Sequence, residues 1–183
     1  MNGEVDPIVS DDYFVAIHEA GHGVVAVLSG VAVNLLAIVD EPDTAVDGFA
    51  SACDDYAAVL ASFASREFEP PIPPTRNGLG LLAVKLAGGI AEAKARGTVY
   101  CPGMSGSWHD RFTAEHVAGR LLHQPAVSAW VRGVLATIEG HTTALVSTNW
   151  NWIESVAREL VGKRRLSGDE VRALRPGRLR RTA

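Results

Sequence analysis

Apolar positions run almost without a break from Phe14 to Val27, interrupted by two histidines and a glutamate, and then from Val31 to Val39, interrupted by Asn34. The first run predicts a buried helix from about Asp11 to Leu28, with Ser10-Asp11-Asp12 supplying a cap and negative charge at its start, and Ser29-Gly30 stopping it. The second run is short and β-branched and predicts a buried strand from Val33 to Val39. Asp40 to Asp43 reads as a turn, Gly48 to Cys53 as a shorter strand, and Asp54 to Arg66 as a short helix. Residues 67–78 (EFEPPIPPTRNG) contain four prolines and predict a loop.

Beyond that loop the pattern is helical. A helix from about Leu79 to Arg96 is apolar nearly all round and carries Gly88-Gly89 in its middle. Two glycines destabilise a helix interior, so a close approach of another helix or of a site is the reason to expect them there. Gly97 to Gly106 is a loop, and Ser107 reads as the N-cap of a helix reaching His123. Pro125 is placed to open a helix extending to Val146, and Thr148 to cap another from Trp150 to Val161, with Trp150 and Trp152 packing against the core. Ser167-Gly168-Asp169-Glu170 has the form of a capping box at the start of a last short helix. The fold class predicted is α+β, mainly α: a small sheet beside the first helix and a helical bundle in the carboxy-terminal half. Residues 1–10 read as a flexible lead, 11–175 as one domain and 176–183 as a basic disordered tail.

Composition adds limits. The chain has 183 residues, 47% of them hydrophobic and 21% charged, enough for one domain with a sizeable core. A net charge of −4 argues against nucleic acid as a partner. The acidic start lacks the basic and apolar regions of a signal peptide, and two cysteines do not make a disulfide framework, so a cytoplasmic protein is expected. Gly21 to Val39 approaches membrane-spanning length, but Ser29-Gly30 and Asn34 interrupt it, and no membrane partner is expected.

The three polar residues inside the first apolar run form His18-Glu19-Ala20-Gly21-His22, an HExxH pattern. Residues four apart on a helix lie about 40° apart around its axis, so both imidazoles share a face and can grip one metal ion. Two histidine nitrogens suit Zn2+, and a third ligand with one open position would make the site catalytic. Asp110, His109 and Glu92 are the candidates for that ligand, and the residues alone do not choose among them. His109, His116 and His123 recur every seven residues and read as a solvated face rather than a second metal site. Cys101 is a candidate thiolate cover for the metal, though a loop cysteine is more often a bystander.

With these motifs in view the chain resembles the peptidase domain of the FtsH-type membrane proteases. HEAGH and its small, apolar continuation match that family. Its LGGRAAEEL aligns on Leu86 to Lys94, its TGASNDL on Ser105 to Arg111, and Leu166 to Val171 is similar to the domain's closing segment. The resemblance implies His18, His22 and Asp110 as zinc ligands, Glu19 as general base, and Glu92 as a residue that orients a ligand histidine. For Glu92, a surface ion pair with Arg96 is the competing reading. The chain departs from the family at Gly89, Trp108 and His109, where the motifs have Arg, Ser and Asn. No P-loop occurs in it, so the family's ATP-driven unfolding does not carry over.

The function expected is therefore a zinc-dependent, ATP-independent metallopeptidase acting on peptides or unfolded segments. Zinc would lower the pKa of water at its fourth position, and Glu19 would take the proton. The alternative is a binding or regulatory protein that keeps the fold and the metal site. A site-2-type intramembrane protease is a third, weaker class. An extended substrate would add to the strand at Gly48 to Cys53. No residue is assigned to the oxyanion, and oligomeric state is not legible.

Overall fold

The computed structural model describes residues 11–38, 48–52, 76–102 and 108–177. Its elements are α1 (Asp11–Ser29), β1 (Val33–Ile38), β2 (Gly48–Ala52), α2 (Arg76–Ala95), α3 (Trp108–Leu122), α4 (Ala129–Thr148), α5 (Trp150–Lys163), β3 (Arg165–Ser167) and α6 (Gly168–Ala173). This is an α+β fold, mainly α, with a small antiparallel sheet in the order β2-β1-β3. Among the described residues no helix is long and apolar enough to cross a membrane.

α1 is the central element, which explains its lack of a polar face. Residues two apart on a helix point in nearly opposite directions, and two of its glycines use this. A Cβ on Gly21 would stand 2.8 Å from Ala87 O and from the Ala91 Cβ on α2. A Cβ on Gly23 would stand 2.7 Å from Leu36 Cδ1 on β1. α1 is thus pressed between α2 and the sheet, and Ala16, Ile17, Ala20, Val24 and Val25 are all fully buried. At its end Gly30 takes a positive φ of 71°, which turns the chain into β1.

The carboxy-terminal elements close the sheet. α5 places Trp152, Ile153, Val156, Ala157 and Leu160 on one stripe against α1. Arg164 caps it in the left-handed region at φ 65°, and the chain then runs as β3 beside β1, pairing the buried Leu166 with the buried Leu36. Trp152 lies at 1% exposure and donates its indole N–H to Val171 O at 2.9 Å. Trp150 is partly buried against the same core.

Several boundaries differ from expectation. α2 begins at Arg76, so residues 76–78 belong to a helix and not to the proline-rich loop. Gly78 is accommodated there because Leu121 of α3 packs 3.0 Å from the position of a Cβ. α3 ends at Leu122, with His123 past it at a φ of 53°. α4 starts at Ala129 and not near Pro125. Pro125 to Ser128 form a turn, with the Ser128 N–H donating to Pro125 O, and the Ser128 side chain caps the helix by accepting from Val131 N–H. Thr148 is the last residue of α4 and does not cap α5; Asn149 lies between the two helices. β3 adds a strand that the sequence does not announce, because three residues carry no period of their own. The lead 1–10, the helix expected at 54–66, Cys53, the loop at 67–75, the Ser107 cap and residues 178–183 lie outside the described residues.

Candidate metal centre

The HExxH residues occupy the middle of α1, all buried: His18 at 8% exposure, Glu19 at 5% and His22 at 6%. Asp110, in the first turn of α3, reaches them from the other side, with Oδ2 lying 3.0 Å from Nε2 of His18 and 3.0 Å from Nε2 of His22. These three ligand atoms lie within 4.8 Å of one another. His109 is exposed and stacks edge-on with Trp108, at 5.7 Å between centroids. Of the three candidates for a third ligand, the structure therefore brings Asp110 to the histidine pair.

α2 serves every member of this cluster from one face. His22 Nδ1–H donates to the Val84 carbonyl at 2.6 Å, and His18 Nδ1–H donates to Glu92 Oε2 at 3.1 Å. Lys85 Nζ lies 3.4 Å from Asp110 Oδ1. Gly88, between these positions, makes the room: a Cβ there would stand 2.5 Å from His18 Nε2 and would also overlap the His22 ring. The close approach expected at Gly88-Gly89 is therefore, at Gly88, an approach to the site itself. Glu92 combines the two roles open to it, since its Oε1 accepts from Arg96 Nε at 2.8 Å while Oε2 meets His18. Arg96 in turn stacks over the Phe14 ring at 3.8 Å.

Whether a metal ion fits can be judged from the proton inventory. A carbonyl oxygen only accepts, so the Val84 contact places the His22 proton on Nδ1 and leaves a lone pair on Nε2. The Glu92 carboxylate does the same for His18. Both Nε2 atoms then face Asp110 Oδ2, acceptor against acceptor, at 3.0 Å. Such a set needs extra protons or a cation. The two nitrogen–oxygen spacings of 3.0 Å are close to the roughly 3.3 Å edge of a tetrahedron with bonds of about 2.0 Å, as zinc forms with nitrogen and oxygen. The three side chains are close enough together to hold a metal ion, and their donor set suits one.

Without one, protons take that part. Burial works against a charge on His18, but hydrogen bonds to Asp110 and Glu92 outweigh it and raise its pKa to about 10. Burial likewise opposes charge on Asp110, yet His22, His18 and Lys85 hold it well below the usual carboxylate range. The hydrogen bond with His18 lowers Glu92. Glu19 goes the other way: burial raises its pKa, against the pull of His22 and His18. Its Oε2 is buried with no hydrogen-bond partner. A buried carboxylate oxygen without a partner is rare in a folded chain, and it marks Glu19 as a candidate for proton exchange.

Other sequence candidates fall away from the centre. His116 and His123 are exposed, and His116 Nδ1–H donates to Phe112 O in its own helix at 2.9 Å. Cys101 is exposed. Lys85 is the residue sequence reasoning missed. It is the single charged residue between Asn77 and Ala91, in the apolar run LLAVKLAGG, and that isolation is the signal that could have found it.

No protein-family model matches the chain, and no curated protein matches its sequence.

Proposed function

We propose that the chain is a zinc-dependent metallopeptidase, related to the FtsH-type peptidase domain, that hydrolyses peptides or unfolded segments. The observation that carries this reading is the buried convergence of His18, His22 and Asp110 beside the unpaired carboxylate oxygen of Glu19. Zinc, when bound, supplies a Lewis acid that lowers the pKa of water and polarises the scissile carbonyl. The chain's own residues do the rest. Glu19 accepts a proton at Oε2 and delivers it to the leaving amine, and burial, which raises its pKa, makes it a better base than an exposed carboxylate. Val84 and Glu92 keep the imidazole lone pairs turned inward. β2 lies at the edge of the sheet among the described residues and packs against α1, the helix that carries the histidine pair, and it is the strand to which an extended substrate is proposed to add. The given sequence carries no P-loop, and cleavage without ATP is part of the proposal.

The test combines metal analysis with peptide-library cleavage. The purified protein is expected to hold about one zinc per chain. His22→Ala or Asp110→Ala should lose most of it. Glu19→Gln should keep the metal and lose about 10²–10⁴-fold in rate. Undiminished cleavage by Glu19→Gln would overturn the mechanism. A full zinc complement with no cleavage of any peptide would favour the binding-protein alternative.

A further inference from the structure

Asp110 has two carboxylate oxygens, and the imidazoles meet only one of them. Oδ2 faces both Nε2 atoms at 3.0 Å, while Oδ1 is turned to Lys85 Nζ at 3.4 Å. The lysine side chain is 16% exposed and that of Asp110 is 13% exposed, so this ion pair is shielded from bulk water. Lys85 adjoins Val84, whose carbonyl holds His22, and lies one helical turn before Gly88, against which both rings pack. It is therefore fixed to the same helix that sets the imidazoles. Its charge also bears on Glu19.

A carboxylate can bind an ion through one oxygen or through both, and the second oxygen fills a coordination position. A cation already held at that oxygen competes with the ion for it. We propose that Lys85 is a positioning residue of the metal centre: by holding Oδ1 of Asp110, it makes the aspartate a one-oxygen ligand and keeps a coordination position open for substrate. The inference rests on the metal-site reading above and adds to it a residue that sets the coordination number. A lysine that only neutralised buried charge would affect stability and leave the coordination unchanged.

Cobalt(II) distinguishes these, because its visible absorption bands are intense in four-coordinate sites and weaker in five-coordinate ones. Metal-free wild type, Lys85→Met and Lys85→Arg are each loaded with cobalt, and zinc affinity is measured by chelator competition. Circular dichroism reports the fold, and Lys85→Gln carries the same test should Lys85→Met not fold. The expected result is a four-coordinate spectrum for wild type and a weaker, five-coordinate one for Lys85→Met, with Lys85→Arg restoring the first. Zinc binding by Lys85→Met should be as tight as wild type or tighter, while peptide cleavage falls about 10–100-fold. A Lys85→Met spectrum superimposable on wild type overturns the role of Lys85 and leaves the metal centre standing. A wild type that takes up no cobalt overturns both.

Discussion

Around His18 the polar partners come from distant parts of the chain. Glu92 is 74 residues away, Asp110 is 92, and Lys85 meets Asp110 across 25. In the unit formed by α5, β3 and α6 the partners are neighbours. Ser167 and Glu170 cap α6 three residues apart, Arg172 meets Asp169 across three, and Lys163 meets Glu159 across four and Glu170 across seven. The local pairs are exposed, each contributes little, and losing one leaves its partner in water. The distant ones are buried, so losing one strands a desolvated group. Their arrangement depends on α1, α2 and α3 being docked at once.

The widest separation between the two regions should come from glycine substitutions. Gly88→Ala drives a methyl into both imidazoles and is expected to cost about 1–3 kcal/mol and to abolish metal uptake. Gly133→Ala, in α4 where a Cβ meets nothing within 4 Å, should instead stabilise by about 0.4–1 kcal/mol. Urea denaturation with metal analysis compares them, and equal effects would erase the distinction.

Next in size is the response to pH. In the metal-free protein His18 keeps its second proton up to about pH 10, and an ion must displace it. Metal affinity should therefore climb as pH rises from 6.5 towards 10, with release of about one proton per ion. The metal-free fold has the opposite slope. A raised histidine pKa contributes stability that is complete below 6.5 and is lost as pH rises through about 10. Calorimetry in buffers of different ionisation enthalpy measures the protons released.

The smallest effect belongs to the carboxy-terminal unit. The Ser167 backbone N–H, Lys163 and the Ser167 hydroxyl lower Glu170 from 4.5 to about 2. A depressed carboxylate contributes stability above its ordinary value and loses it as pH falls through the folded one. Glu170→Gln should thus melt slightly lower than wild type at neutral pH, and the difference should vanish as pH falls from 4.5 towards 2. A difference that persists at pH 2 would show that the cap acts through something other than the charge of Glu170.

The same contrast explains which features are legible in the amino-acid sequence. The capping box at Ser167 and Glu170 is legible because its members sit within one turn, and α1 because HExxH and its apolar flanks are contiguous. Asp110 is reached only through a motif, since nothing in its own neighbourhood favours it over His109. Glu92 has two competing partners in the sequence, and in the folded chain its two oxygens engage both. The Val84 carbonyl has no side-chain signature and Lys85 no motif around it, so neither role shows in the sequence. Boundaries fail where a single residue is trusted: Pro125 suggests a helix start, but the capping oxygen is on Ser128.

The span from His22 to Asp110 has a further meaning for the chain as a polymer. The two residues are 88 apart, and an ion held by both ties α1 to α3 much as a disulfide would. In the chain-entropy picture, closing a loop of that size removes about 4–5 kcal/mol of conformational freedom from the unfolded state, provided the tie survives unfolding. A metal tie does not survive it, because ligands scattered along an unfolded chain hold an ion poorly. Such a cross-link would be assembled anew at each folding event, and if zinc is the ion held, folded molecules would be favoured by free zinc in proportion to its concentration. The centre proposed for hydrolysis would then also make the protein's own persistence depend on metal supply.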